Sequence, residues 1–387
     1  MTADDRLPLS GRRVVALEHA VSAPLCSRHL ADLGADVIKI ERPDGGDFAR
    51  RYDSVARGQS AYFVWLNAGK RSMTADLTIP RDRATFEQLL GTADVLVHNL
   101  GPGAVDRLGY GWDHLHRRHP RLISCAISGY GANGPYRDRK AFDLLLQGES
   151  GLASITGTAD APARVGISIV DISAGMYALA AVLAALIERE ATDVGRSIDI
   201  SMLDSIAEWM SVPALHQRYA GAPPPRTGLH HPGIAPYGPY AAAGGTVRLI
   251  AVQNEPQWRR FCARVLGRPD LANDPRFARN ELRVLNRVEL DAEIASVLCR
   301  IELEELMAGL DQADVPHAPV NDVAGMLDHP QLSARGRWMP VATPTGEVTA
   351  VAPPLGWPAR SASVPALGAD TDAILRELSP DSAKDAP

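Results

Sequence analysis

Asp171 ends the apolar run Val165-Gly-Ile-Ser-Ile-Val170 and opens the helix-forming stretch Ile172-Ser-Ala-Gly-Met-Tyr-Ala-Leu179. A carboxylate at a helix N-terminus is expected to stay ionised, because free backbone N–H groups and the helix dipole favour negative charge there. An ionised carboxylate is already a nucleophile and can attack an electrophilic carbonyl without a general base. The same placement suits a simple N-cap, and the residue alone does not decide between the two. Lys39, Arg42, Lys70, Arg71, Arg107 and Lys140 fall at strand ends or in the loops after them, where α/β sheets place ligands. Any one of them alone reads as a solvated surface charge. The adjacent imidazoles of His230 and His231 are a further chemical pair.

These residues need a frame. Through the first 200 residues short β-type runs alternate with helical patterns, the signature of βαβ units and a parallel sheet. Strands are expected at 14–17, 37–40, 95–97, 122–127 and 197–202, with helices at 24–33, 81–92, 104–117 and 173–190. The segment after the first strand, Glu18-His-Ala-Val-Ser-Ala-Pro-Leu-Cys26, has no G-x-G-x-x-G, which disfavours a nicotinamide-dependent dehydrogenase. Next comes a helix carrying Ile206, Trp209 and Met210. Ala222-Pro-Pro-Pro225 then marks a linker, since consecutive prolines continue neither a helix nor a central strand. Beyond it a strand at 247–252 and helices near 256–266, 284–298 and 303–313 suggest a smaller α+β unit. A β-type stretch at 346–351 and a helix at 369–378 follow.

Composition narrows the function. The chain has 387 residues, 45% of them hydrophobic, enough for a large core and two domains. With 40 Lys+Arg against 46 Asp+Glu, the net charge of -6 argues against a nucleic-acid surface, so any anion site must be a local cluster. The acidic N-terminus has no apolar signal region. The run Met176 to Ile187 is shorter than the roughly 20 residues that span a bilayer. Cys26, Cys125, Cys262 and Cys299 lack C-x-x-C spacing and read as reduced core thiols, which points to a cytoplasmic protein. No metal-ligand motif appears, and His114, His116 and His119 read as a solvated helix face.

Leu9-Ser-Gly11, Leu33-Gly-Ala-Asp-Val-Ile-Lys-Ile-Glu-Arg42-Pro, Asn67-Ala-Gly-Lys70-Arg71-Ser, Asn99-Leu-Gly-Pro-Gly-Ala-Val-Asp-Arg107, Ser128-Gly-Tyr-Gly-Ala-Asn-Gly-Pro135, Val170-Asp171 and Gly195-Arg-Ser-Ile-Asp occur in that order. With Leu367-Gly-Ala-Asp-Thr-Asp near the end, the series resembles the family III CoA-transferases. That group includes formyl-CoA transferase, mesaconyl- and succinyl-CoA transferases and the α-methylacyl-CoA racemases. The resemblance implies an α/β fold: a Rossmann-like large domain with a parallel sheet, a smaller α+β domain, and an interlocked homodimer. On that pattern residues 1–205 begin the large CoA-binding domain and 206–228 form a helix and Pro-rich linker. Residues 229–325 then make the small domain, and 326–387 return to complete the large one.

The resemblance also implies roles. Asp171 matches the family's nucleophile. Val21, Ser22, Arg42, Ala75, Asp76, Leu77, Thr78, Asn99, Leu100, Gly101, Arg107, Lys140, Ala141, Phe142 and Asp143 match positions that line the CoA site. CoA and its acyl esters would be substrates, with no permanently bound cofactor and no metal. The partners would be small molecules, with no nucleic acid and no membrane. Phe142 stands where the racemases carry a His, and a phenylalanine cannot move a proton, so two-base racemisation should fail. Val21 replaces a Gln contact of formyl-CoA transferase, and that enzyme's run of four glycines gives way to Gly228-Leu-His-His-Pro-Gly-Ile-Ala-Pro-Tyr-Gly-Pro239. The H-x-x-I-A-P-Y-G pattern looks more like the mesaconyl-, itaconyl- or succinyl-CoA transferases. His230, His231 and Gly233 are therefore expected at the acceptor, a C4 or C5 dicarboxylate such as succinate, itaconate, mesaconate or citramalate. The alternative is a 2-methylacyl-CoA racemase.

Overall fold

The computed structural model describes residues 6–357 and 362–379. The described residues divide into two compact units, one of residues 6–150, 165–210, 331–357 and 362–379 and one of residues 151–164 and 211–330.

In the first unit β1 (Arg13–Leu17), β2 (Asp36–Glu41), β3 (Arg71–Thr74), β4 (Val95–His98), β5 (Ile123–Ser128) and β6 (Ser197–Ser201) form one sheet. All pairs are parallel, in the order β3-β2-β1-β4-β5-β6. This is a doubly wound arrangement whose order reverses between β1 and β4. The inner strands β1, β2 and β4 are almost wholly buried because helices cover both faces; β1 and β4 read as near-continuous apolar runs, while β2 interrupts its run with the buried Lys39. Edge strand β3, with the sequence RSMT, has no such run and was not anticipated.

The helices of this unit are α1 (Ser22–Asp32), α2 (Ala61–Asn67), α3 (Pro80–Leu90), α4 (Ala104–Arg107), α5 (Trp112–Arg118), α6 (Asp143–Glu149), α8 (Ile169–Thr192) and α9 (Met202–Trp209). The short α7 (Leu152–Ile155) between them belongs to the second unit. The helix expected over 104–117 is two helices. Gly109 at φ +89° breaks it, and a Cβ on Gly111 would lie 2.4 Å from Asp106 Oδ1. Phe86, Leu89 and Leu90 of α3 pack with Val15, Leu17, Ile38, Ile40 and Leu96 in the main core. At 24 residues α8 has the length and composition to cross a membrane, contrary to the expectation from its central apolar run. Half of its most apolar window is buried, and it packs on α1, β5 and β6.

The return segment closes this unit. Strands β10 (Trp338–Thr343), β11 (Gly346–Val351) and β12 (Ala362–Ser363) form a small sheet. Met339 and Val341 from it pack on Phe63 and Val64 of α2. α17 (Thr371–Glu377) covers β3: Asp370 accepts from Ser72 N at 2.8 Å, and Ile374 joins the main core.

The second unit contains α10 (Ser211–Ala220), an antiparallel sheet β7-β8-β9 (Tyr237–Ala241, Val247–Ala251, His317–Pro319) and helices α11 (Glu255–Arg260), α12 (Asn280–Leu285), α13 (Arg287–Leu298), α14 (Leu303–Gln312) and α15 (Val323–Leu327). Helix α16 (Pro330–Ala334) leads out of it. Its separate core is built on Trp258, Phe261, Phe277, Leu290, Ile294 and Leu310. Residues 151–164, expected in the large domain, join this unit because Arg226 donates to the carbonyls of Ser154, Thr158 and Ala159 at 2.8–2.9 Å. Two other expectations change. Cys299 is exposed rather than in the core. The 114–119 histidines are not a solvated face: His116 stacks on Trp112 with ring centroids 4.9 Å apart, and His119 lies 3.4 Å from Glu87.

Candidate active site

Gly175 decides where Asp171 sits. A Cβ on Gly175 would lie 2.6 Å from the Ser22 carbonyl oxygen and 3.1 Å from Leu25 Cβ, so glycine lets α8 press against the first turn of α1. Asp171 is one turn earlier on the same face of α8, which brings its side chain to the N-terminus of α1. The Ser22 hydroxyl lies beside the Asp171 carboxyl, near enough to favour its charged form. Ser22 is held in turn by Asn99, whose Nδ2 reaches Ser22 Oγ at 3.3 Å and donates to the His19 carbonyl at 2.8 Å. Asn99 Oδ1 accepts from His19 N at 2.9 Å. Asn99 follows β4 and Ser22 follows β1, the two strands at which the sheet reverses, so the carboxyl lies at the topological switch point.

The expected cap is a different residue. Asp171 is the third residue of α8, and its side chain does not cap the helix. Asp143, the first residue of α6, does so from 28 positions away: its Oδ1 accepts from Val170 N at 2.8 Å and from Asp171 N at 3.3 Å. Gln147 Nε2 holds the other oxygen at 2.6 Å, and Gln147 Oε1 accepts from Val165 N at 2.8 Å. The two N–H groups at the start of α8 are thus committed to Asp143 and do not face a reacting oxygen. The charge expectation reverses as well. The Asp171 residue keeps some exposure, yet protein crowds its carboxyl; burial first and the Asp143 carboxylate second push its pKa up to about 7, with the Ser22 hydrogen bond opposing. Tyr52 is pushed up to about 12 by burial, then by the carboxylates of Asp47 and Asp171. Nothing in the spacing of Tyr52 marks it as a neighbour of Asp171.

The remaining candidates of this unit gather along the carboxyl ends of the strands. Val21 and Ser22 follow β1, Arg42 follows β2, Ala75 to Thr78 follow β3 and Asn99 to Gly101 follow β4. Arg107 ends α4, and Lys140 to Phe142 lead into α6 at Asp143. Asp76 makes a tight turn, accepting from Thr78 N at 2.9 Å. Gly129 gives Ala141 its place, since a Cβ there would meet the Ala141 Cβ at 2.2 Å. Phe142 is 63% exposed, so its ring is open to a ligand rather than locked in the core. Leu100 and Gly101 also line a cavity of about 490 Å³ with His98, Trp112, Arg137 and Asp199 at the ends of β4, β5 and β6. Burial pushes the His98 imidazole down to about 4, so it is neutral.

The cation set is smaller than expected. Arg42, Arg107 and Lys140 are exposed, and Arg42 forms a two-pronged pair with Asp44 at 2.8–2.9 Å. Arg71 pairs with Asp36 and Glu377. Lys39 and Lys70 are buried completely and spend their charge on Glu18 and Asp47. Sequence position cannot separate a ligand-binding lysine from one paired inside the core.

His230, His231 and Gly233 belong to the second unit. His231 Nδ1 accepts from Gly233 N at 3.1 Å and its ring stacks on Tyr237 at 5.3 Å, so both help to build their own loop. The His230 ring rests on Gly238, where a Cβ would come within 2.2 Å of it, and its Nδ1 lies 3.9 Å from Asp291. Among the described residues no group of three His, Cys, Asp or Glu side chains converges as a metal site.

A doubly wound parallel sheet, with a carboxyl and a row of loops at its switch point, defines an α/β protein of the kind whose ligands sit at the carboxyl edge of the strands. The model of CoA-transferase family III matches residues 9–371, and the chain belongs to that enzyme family. It is 37% identical over 337 residues to the succinate–glutarate CoA-transferase of Agrobacterium fabrum, covering 85% of this chain and 84% of that protein. It is 33% identical over 330 residues to the succinyl-CoA–D-citramalate CoA-transferase of Chloroflexus aurantiacus, covering 85% and 82%. The crystal structure of a CAIB/BAIF family protein from Brucella suis superposes with a TM-score of 0.82 at 34% identity, covering 97% of this chain and 100% of that one.

Proposed function

We propose that this enzyme moves CoA from an acyl-CoA donor to a C4 or C5 dicarboxylate through covalent intermediates on Asp171. The observation that carries the reading is Asp171 at the switch point, a half-buried residue whose carboxyl is crowded by protein beside the Ser22 hydroxyl. Ionised Asp171 attacks the thioester carbonyl carbon; a C–O bond forms, the C–S bond breaks, and CoA leaves as thiolate. The product is a mixed anhydride. The thiolate then attacks Cγ of Asp171, which releases the donor acid and leaves an aspartyl-CoA thioester. The acceptor carboxylate attacks that thioester and regenerates an anhydride and the thiolate, which takes the acceptor acyl group and frees Asp171. With the first N–H groups of α8 occupied by Asp143, the oxyanion donors fall to the first turn of α1. The N–H groups of Ser22 and Ala23 there have no acceptor among the described residues.

The loops after β1 to β4, with Arg42, Arg107 and Lys140, make the CoA site in this reading. Val21, Ala75 to Thr78, Leu100, Gly101, Ala141 and Phe142 line it. The protein would act as a homodimer, which light scattering tests directly. The dicarboxylate follows from relatives named for glutarate and citramalate and from the Gly228–Pro239 loop, with His230, His231 and Gly233 at the acceptor. Racemisation is the weaker reading because Phe142 offers no second base.

The test is a panel of acyl-CoA donors and carboxylic acids with mass-spectrometric detection of the new thioester. Dicarboxylates of four or five carbons should be the best acceptors; a preference for butyrate or an aromatic acid would remove the dicarboxylate assignment. Incubation with donor alone should leave CoA attached to the Asp171 peptide. A label on a cysteine, or on nothing during one turnover, would remove the covalent mechanism.

A further inference from the structure

Beneath the first turn of α1 lies a set of charges that the proposed chemistry does not use. The side chains of Glu18, Lys39, Asp47 and Lys70 have no solvent exposure. Lys70 Nζ meets Glu18 Oε1 at 2.6 Å and donates to Asn67 Oδ1 at 3.1 Å and the Pro24 carbonyl at 3.0 Å. Lys39 Nζ donates to Asp47 Oδ2 at 2.9 Å and Glu18 Oε1 at 3.3 Å. Such clusters add little net stability, because desolvation offsets much of the attraction and an apolar set could fill the same space. What this one holds is therefore the informative question.

It holds the turn from β1 into α1. Lys39 Nζ donates to the Glu18 carbonyl at 3.3 Å, and Asp47 Oδ1 accepts from Ala20 N at 3.2 Å. Asn99 binds both backbone groups of His19 from the other side. Ala20 has φ +59°, a left-handed conformation that a residue with a Cβ adopts only when its surroundings enforce it. Two residues later comes Ser22, in the turn of α1 that packs on α8 at Gly175, with its hydroxyl beside the Asp171 carboxyl.

Resting on the reading of Asp171 as nucleophile, we propose that the Glu18–Lys39–Asp47–Lys70 cluster is a positioning device: it locks the strained Ala20 turn so that the Ser22 hydroxyl stays fixed as a donor to ionised Asp171. The four residues act through Ser22 and touch no substrate. The titratable groups facing Asp171 are Asp143 from the start of α6 and Tyr52, which follows the turn Phe48–Arg51. Asp143 raises the cost of its charge and the Ser22 hydroxyl lowers it, while Tyr52, pushed up to about 12, stays uncharged near neutral pH.

The test is the rate of adduct formation on Asp171 in a single turnover with an acyl-CoA donor, measured from pH 5 to 9. Ser22→Ala should move the acidic limb upward by about one pH unit, a loss of roughly tenfold at pH 6 that vanishes at pH 9. Asp47→Ala should move the limb the same way by about half as much. Asp47→Asn should restore it, because the amide oxygen still accepts from Ala20 N. Ser22→Ala combined with Asp47→Ala should shift no further than Ser22→Ala alone. Additive shifts, or an Asp47→Ala loss equal at every pH, would overturn the proposal. Should Asp47→Ala not fold by thermal melting, Asn99→Ala releases the same turn from a half-buried position and is held to the same outcomes. A wild type that forms no adduct on Asp171 would refute the nucleophile reading instead, so the two failures are distinct.

Discussion

Glu18 and Asp171 are both carboxylates enclosed by protein at the same edge of one sheet, and they titrate in opposite directions. Burial pushes each up. At Glu18 the ammonium groups of Lys70 and Lys39 outweigh it and hold the carboxyl below its ordinary range. At Asp171 no cation among the described residues offsets it; the Asp143 carboxylate adds to the push, and the result is about 7. Burial is common to both, so the neighbours decide in which direction each carboxyl moves. A permanently paired carboxylate is a poor nucleophile. One that ionises near neutrality, held by a single hydroxyl, keeps its lone pairs available.

The sharpest way to break this contrast is Asp171→Asn. It should bind CoA esters yet lose roughly a thousandfold or more in transfer, as steady-state rates will show, because an amide cannot form the anhydride. Its stability should change in the opposite sense. A carboxyl whose pKa is raised on folding favours the fold below its unfolded value near 4 and loses that advantage as pH rises to about 7. The variant should therefore be more stable than wild type above pH 7, by on the order of a few kcal/mol in urea titrations, and equal to it below pH 4.

Glu18→Gln tests the other half. It leaves Lys39 and Lys70 under-compensated in the interior and should cost about 3–5 kcal/mol of unfolding free energy. Gly175→Ala should cost about 1–3 kcal/mol, since its new methyl meets the Ser22 carbonyl oxygen. It should also slow transfer more than its stability loss explains, because it drives Asp171 from Ser22. Asp143→Asn is the mildest. The amide oxygen can still accept from Val170 N, so the cap largely survives, but the like charge is gone. The acidic limb of the rate profile should fall by about one pH unit. An unmoved limb would mean that burial alone sets Asp171.

The start of α8 and the inner strands are legible in the sequence because each rests on local signals: an apolar run feeding a long helix, and short Val-rich segments in a parallel sheet. It misleads where partners are distant. Asp143 reaches the start of α8 across 28 residues, so the cap falls on the wrong aspartate. Lys39 and Lys70 carry the same local text as surface cations, and only the fold brings Glu18 and Asp47 to them. Strand β3 is polar and at an edge, and it is recognisable only once β2 lies beside it.

The closing segment of the first unit bears on how the protein emerges from the ribosome. The second unit is contiguous from 211 to 330 apart from residues 151–164, so it can assemble as it is synthesised. The unit carrying Asp171 cannot. Until residues 331–379 appear, β3 lacks the Asp370 carboxylate on Ser72 N, and the faces of Phe63 and Val64 stand uncovered. For much of its synthesis the nascent chain thus carries an open, pairing-competent sheet edge, the kind of surface that holdase chaperones bind and that invites aggregation when translation stalls.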